Sequence, residues 1–416
     1  MPTDSQIIEL AAELLSRRFG GTQVLTDPEV LSGSGSARVI RVRVGTSPFL
    51  EERTVVVKFV PASEDAIDDA ALVREIVAYQ FTNSLSADVR PGPLLLAHDV
   101  DHRILVITDI GDGETYADLL SSGDASVRKQ SLRNLGRALG KLQVGTALRE
   151  ADFEVLLGRM LKAHPDTSYL QNLREMSLLA SIDNGLELIA QSGVEVTPEV
   201  HNAAREAKRR LMSGQHRAFT PFDLSPDNII ESGHTYFLDY EWAGFRDFTF
   251  DVACVIAGFP QFVSARIITD EEVDAFVEAW ARETRELWPS AADVDRRGAR
   301  IVTAMVGWAL ASVAYLYHGS MNQAVSLVGT AQPSELGAEV SPELEAMISA
   351  DIDAEFNLFT ADFISEGTDH GRMARKDLFE TFEALSRFAA RWEDGRFAAI
   401  QHFAATIAER LSDSDG

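Results

Sequence analysis

Residues 219–230 read "FTPFDLSPDNII", and residues 238–251 continue "LDYEWAGFRDFTFD". Asp223 and Asn228 stand five apart across the turn-rich "LSPD", a length of chain that lets both side chains reach one side of a turn. The intervening "DNIIESGHTYFLDY" holds a Ser232-Gly233 turn between two short extended runs, the pattern of a hairpin. Asp239 comes at the end of its second arm and returns to the neighbourhood of the first two. Carboxylate and amide oxygens are hard ligands suited to Mg²⁺, and a further aspartate can orient a hydroxyl. The alternative is plain loop chemistry, with Asp223 and Asn228 capping the hairpin.

The rest of the chain is read against these two possibilities. Upstream, "EVLSGSGSARVIRVRVG" (29–45) places a Gly/Ser turn between two extended pieces. Gly33 and Gly35 carry no Cβ, so the backbone around Ser34 can approach phosphates closely, although an ordinary hairpin turn reads the same. No Gly-Lys-Ser/Thr follows, so this is not a Walker A loop. "TVVVKFV" (54–60) is a β-branched run carrying one lysine, Lys58. A charge there needs a partner, and the alternative is a lysine snorkelling from a strand end. A helix expected over about Ser63–Leu85 supplies Glu75 on the stripe of Leu72, Ile76 and Tyr79. "ILVITDIGDG" (104–113) is another apolar strand running into a Gly-rich turn. From Ser126 onward helical periodicity dominates, apart from the hairpin.

The full order is Gly-rich turn, strand lysine, helix glutamate, apolar connecting strand, then Asp, Asn and Asp. That order matches the parts that phosphoryl transfer requires in kinases. The chain resembles the aminoglycoside phosphotransferase and choline-kinase group of small-molecule kinases. "FDLSPDNII" looks like the group's H-G-D-x-x-x-x-N loop, and "FLDYEWAGFRDFTFDVA" like its I-D-W-E-x-A-x-x-G-D-P-x-x-D-L-A stretch. "VVVKFV", "VREIVAYQF", "ILVITDIG" and "RALGKLQVGT" sit where its lysine strand, glutamate helix, hinge and long helix fall. The motifs span about residues 20–260.

The resemblance implies an α+β, protein-kinase-like bilobal fold. Residues 1–112 would form a small antiparallel-sheet N-lobe, and 113–416 a large, mainly helical C-lobe with a C-terminal extension. It implies an ATP- and Mg²⁺-dependent phosphotransferase acting on a hydroxyl of a small molecule such as an amino sugar, a sugar or an amino alcohol. Asp223 would orient or deprotonate that hydroxyl, and Asn228 and Asp239 would hold Mg²⁺. Lys58, held by Glu75, would contact the phosphates, with Gly33, Ser34 and Gly35 as their cradle. The hinge from Thr108 to Ile110 would receive the base, and Asp251 would brace the catalytic loop. Two departures stand out: Pro221 and Phe222 replace His and Gly, and Gln143 replaces a histidine. They support a second reading, a catalytically weak or inactive nucleotide-binding protein. A protein-serine kinase is disfavoured, because no "APE"-type segment follows Asp239. Glu241, Trp242, Trp308 and Tyr315 are candidates for an acceptor wall, although such aromatics are more often core.

Composition bounds the partners. The 416 residues carry 64 acidic and 38 basic side chains, a net charge of −26, which argues against nucleic-acid binding. One cysteine, Cys254 in the apolar "DVACVIAGF", precludes an intrachain disulfide and fits a reducing, cytoplasmic setting. The uncharged run Ile301–Tyr317 is read as a buried helix of the larger lobe, not as a membrane span. "GTAQPSELGAEVSPELEA" (329–346) is the strongest linker candidate, and the tail "SDSDG" is expected to fray.

Overall fold

The computed structural model describes residues 2–31, 37–62, 67–262, 266–319, 321 and 356–412, with the side chains of 67–69 not described. The Gly33–Ser34–Gly35 turn, the 329–346 linker candidate and the end of the tail lie outside the described residues.

The chain opens with α1 (Asp4–Phe19), begun by a capping box from Thr3 and Gln6 and ended at Gly20, whose φ of 87° favours glycine. Five strands follow: β1 (Leu25–Leu31), β2 (Arg38–Val44), β3 (Thr54–Phe59), β4 (Leu95–Asp99) and β5 (Ile104–Thr108), with α2 (Ile67–Asn83) between β3 and β4. They make one antiparallel sheet in the order β1-β2-β3-β5-β4. Alternation sorts its faces. Ile40, Val42, Val55, Val57, Ile104 and Val106 pack under Ile7, Ala11, Leu14 and Leu15 of α1. Val56, Leu105 and Ile107 on the other face join the core of the second lobe and meet Leu72, Ile76 and Tyr79 of α2. Lys58 alternates with Val57, so it shares the second face, between Val39 and Leu105 of the neighbouring strands.

Short strands β6 (Glu114–Thr115), β8 (Ile229–Glu231) and β9 (Thr235–Phe237) form a second sheet, and β7 (Arg217–Thr220) pairs with β10 (Gly244–Asp247). The expected hairpin is therefore present, turning at Gly233 with φ 72°. The helices of the larger lobe are α3 (Tyr116–Ser121), α4 (Ala125–Thr146), α5 (Glu150–Ala163), α6 (Ser168–Gln191), α7 (Pro198–Met212), α8 (Thr249–Ile256), α9 (Asp270–Thr284), α10 (Pro289–Ala292), α11 (Val294–His318), α12 (Asp369–Ala389) and α13 (Gly395–Ser412). This is the α+β bilobal arrangement: a small antiparallel sheet beside a mainly helical lobe. By length and composition α11 is apolar enough to cross a membrane, but 78% of its apolar stretch is buried against neighbouring helices. Its apolar character is that of a core helix. Close approach depends on Gly185 of α6, where a Cβ would overlap the Leu310 carbonyl of α11.

Candidate active site

Lys58 leaves the sheet toward the second lobe and meets two carboxylates there. Its Nζ donates to Glu75 Oε1 at 2.8 Å and to Asp239 Oδ1 at 3.1 Å. Glu75 is buried on the apolar stripe of α2, which aims it at the strand. Burial works against the charge on Lys58, but Asp239 and Glu75 outweigh it and hold the ammonium well above its ordinary range. Burial pushes the Glu75 carboxyl up, against the pull of Lys58. The structure thus brings together a lysine, a glutamate and an aspartate drawn from positions 58, 75 and 239.

Asp223, Asn228 and Asp239 line a single cavity of about 230 Å³. Asp223 follows β7, and a short 3₁₀ turn over Pro226–Asn228 carries Asn228 to the start of β8. The loop is tied internally: Asp223 N–H donates to the Pro221 carbonyl at 2.9 Å, Ser225 N–H to Asp223 Oδ1 at 3.3 Å, and Asn228 N–H to the Ser225 carbonyl at 2.8 Å. Leu238 N–H closes on the Asn228 carbonyl at 2.9 Å, which ties the Asp239 strand to the same turn. Asp223 therefore does cap its own turn, as the loop reading expects, and lines the cavity as well. Burial, with the charges of Asp239 and Glu241 adding to it, pushes the Asp223 carboxyl up to about 7.

Two residues here have left-handed backbones, Phe222 at φ 69° and Asp239 at φ 57°. For a residue as bulky as phenylalanine that conformation costs on the order of 1 kcal/mol. Packing holds it: the Phe222 ring stacks on Trp308 at 4.9 Å, and the Arg246 guanidinium lies 4.5 Å from its centroid. Behind the loop Asp251 is fully buried, and burial pushes its carboxyl up to about 8 against the pull of Arg246. The Phe222 N–H and the Gln143 amide also favour its charged form, without either completing a hydrogen bond of ordinary geometry. Gln143 itself accepts from Trp280 Nε1 at 2.7 Å and donates to the Phe248 carbonyl at 3.2 Å.

At the hinge, Thr108 exchanges bonds with Leu94, its N–H to the Leu94 carbonyl and its Oγ1 from the Leu94 N–H, both 2.9 Å. The Ile110 carbonyl accepts from Ser232 Oγ at 3.3 Å. A feature the sequence reading missed is Arg41 of β2, whose guanidinium binds Asp109 at 2.9 Å and Asp112 at 2.8 Å and ties the sheet to the hinge. Of the four residues considered for an acceptor wall, only Trp308 lines the cavity. Tyr315 is core, Trp242 is buried beneath the Arg174 guanidinium at 3.8 Å, and the Glu241 carbonyl accepts from Arg174. The sequence reading also missed Phe259, Gln261 and Phe262, which line the cavity with Trp308.

A sheet lobe delivering a paired lysine to an Asp/Asn loop of a helical lobe defines a protein-kinase-like phosphotransferase fold. The chain belongs to the phosphotransferase enzyme family APH, whose model matches residues 29–294. No curated protein matches the sequence. Among solved structures it is similar to the choline kinase LicA from Streptococcus pneumoniae, at 16% identity over 83% of this chain and 99% of that one, with a TM-score of 0.44. Choline kinase from Cryptosporidium parvum matches at 9% identity over 76% and 93%, with a TM-score of 0.42. An aminoglycoside phosphotransferase from Alicyclobacillus acidocaldarius matches at 12% identity over 99% and 97%, with a TM-score of 0.39.

Proposed function

We propose that the protein transfers the γ-phosphoryl group of ATP to a hydroxyl of a small molecule. The observation that carries this is the continuity of the site. Lys58, fixed by Glu75, reaches Asp239, and Asp239 shares one cavity with Asp223 and Asn228. In this reading residues 1–112 hold the nucleotide and residues 113–416 supply the catalytic loop and the acceptor pocket. The Thr108–Ile110 segment receives the base through backbone groups. Gly33, Ser34 and Gly35 cradle the phosphates, and Lys58 neutralises them.

Asn228 and Asp239 fit a magnesium ion, because both offer oxygen donors to the same cavity. Among the described residues no group of three His, Cys, Asp or Glu side chains forms a closed cage. Mg²⁺ does not need one: it takes one or two protein oxygens and completes its shell with phosphate and water. When bound, the ion screens the phosphate charge and holds the phosphates in line for displacement. Asp223 accepts the acceptor's hydroxyl proton as that oxygen bonds to the γ-phosphorus, and ADP departs with the electrons of the broken P–O bond.

Asp223→Asn tests the assignment. Acceptor-dependent ADP formation is expected to fall about 10²–10⁴-fold, with affinity for an ATP analogue retained; unchanged turnover would overturn the role given to Asp223. The second reading, a nucleotide-binding protein with weak or no transfer, draws on Pro221 and Phe222 in place of the family's His-Gly. Nucleotide binding by the unaltered protein with no acceptor-dependent ADP from any hydroxyl compound would favour it.

A further inference from the structure

The cavity holding Asp223 continues past the three residues assigned to transfer. The rest of its lining is chiefly Leu224, Cys254, Phe259, Phe262, Trp308 and Met321. The polar side chains among these further lining residues are Ser225, whose hydroxyl is committed to Asp227, and Gln261.

This wall is built, not incidental. Gly258, Phe259 and Gln261 have φ values of 88°, 61° and 72°, so three of four consecutive residues are left-handed and two of those carry a Cβ. Such backbones persist only where the surroundings over-determine them. Phe259 N–H donates to the Cys254 carbonyl and Phe262 N–H to the Phe259 carbonyl, each at 2.9 Å. Gln261 N–H donates to both oxygens of Asp377 at 3.0 Å, a buried carboxylate on α12. Both Asp377 and Trp308 lie beyond residue 294, outside the stretch matched by the family model.

Charge decides what can sit there. An ammonium group buried in the pocket needs a carboxylate, yet the carboxylates among the described lining residues are Asp223 and Asp239, and both are used by the proposed transfer. Asp377 is spent on the Gln261 backbone. An anionic group needs a cation, and no lysine or arginine is among the described lining residues. Arg246, a cation behind this wall, is bound to Glu175 at 2.9 Å and lies against the Phe222 ring. The Phe222–Trp308 stack is thus already polarised by a positive charge and is a poor seat for a second one.

We infer that the acceptor is a small uncharged alcohol with an apolar body, seated against Phe259, Phe262 and Trp308, with the Gln261 amide as its polar contact. This rests on the phosphotransfer reading above. The test uses the full-length protein with Mg²⁺ and a non-hydrolysable ATP analogue, and measures calorimetric binding of three matched probes. These are benzyl alcohol, 4-(hydroxymethyl)benzoate and 4-(hydroxymethyl)phenyltrimethylammonium, with an aminoglycoside alongside. Benzyl alcohol is expected to bind at least about ten-fold more tightly than any charged probe, a difference of about 1.4 kcal/mol. Trp308→Ala should weaken that binding with the analogue's affinity unchanged. Gln261→Glu, at an exposed position, should shift preference toward the trimethylammonium probe. Equal or tighter binding of a charged probe by the unaltered protein, or no binding of the uncharged one, overturns the inference. If charged acceptors instead give Asp223-dependent ADP formation, the phosphotransfer reading stands and this one falls. If the ATP analogue itself does not bind, the phosphotransfer reading falls first.

Discussion

Trp308 lines the cavity and Lys58 meets its edge through Asp239, and the surroundings of these two residues follow opposite rules. On the proposed phosphate side, charged groups fix one another: Lys58 is held by Glu75 and Asp239, and Arg41 by Asp109 and Asp112. Those positions are set by directional bonds between ionised groups in partly dry surroundings, where misplacement leaves a charge unpaired. On the acceptor side Trp308 is set by packing. Its ring lies on Phe222 and its Nε1 is turned away to the Phe250 carbonyl at 2.8 Å. The loop opposite is held by backbone bonds and one buried carboxylate. In the phosphotransfer reading proposed above, the two substrates would be bound by separable devices: a set of ion pairs on the nucleotide side and a shaped apolar wall on the acceptor side.

Separability can be broken by substitution. The largest effect is expected from Lys58→Met. Removing one charged donor from the phosphates should cut turnover about 10²–10³-fold and strand Glu75 as a buried, unpaired carboxyl. Acceptor affinity measured with Mg²⁺ and nucleotide already saturating should not change; if it falls in step with turnover, the two sides are one unit. A smaller and opposite result is expected from Trp308→Phe. The substitution removes the bond to Phe250 and part of a buried ring, a loss of about 2 kcal/mol in denaturant unfolding. It should raise the acceptor's KM and leave nucleotide affinity untouched. A change in nucleotide affinity there would join what the structure separates.

The same contrast explains what the sequence disclosed. A lysine inside a run of valines is costly unless paired, so Lys58 stands out, and Glu75 can be found because helical spacing puts it on the buried stripe. Asp223, Asn228 and Asp239 are legible through the short hairpin that joins them, where separation in sequence is nearly separation in space. The acceptor wall offered no such signal. An aromatic lining a pocket and an aromatic filling a core are the same letters, which is why Tyr315 and Trp242 were candidates equal to Trp308. Phe259 and Gln261 are not glycines, so nothing announced their left-handed backbones. The bond from Gln261 to Asp377 joins residues 116 apart, beyond the reach of any local pattern. Strands β4, β6, β7 and β10 were also unread. The last of these, β10, is four residues buried throughout and has no alternation to detect.

The smallest expected effect isolates that long-range bond. Burial, reinforced by Glu380 one turn along α12, pushes the Asp377 carboxyl from an ordinary 3.8 up to about 7, although the Gln261 N–H pulls the other way. Between about pH 4 and pH 7 the folded protein therefore holds a proton that the unfolded chain has released. Proton binding by the folded state stabilises it at the acid end of this window, and the contribution is lost as pH rises through 7. The slope is about 1.4 kcal/mol per pH unit for one proton. Asparagine keeps an oxygen to accept from Gln261 N–H but has no proton to release. Denaturant unfolding of Asp377→Asn at pH 5, 6, 7 and 8 should therefore lose this slope relative to the parent, leaving the variant the more stable of the two above pH 7. Glu380 is present in both proteins, so only its coupling to Asp377 enters the difference. Parallel stability curves would mean that Asp377 is not the buried anchor of the wall. A flattened curve with unaltered nucleotide affinity would confine the effect to the acceptor side, the sharper form of the contrast between the two halves of the cleft.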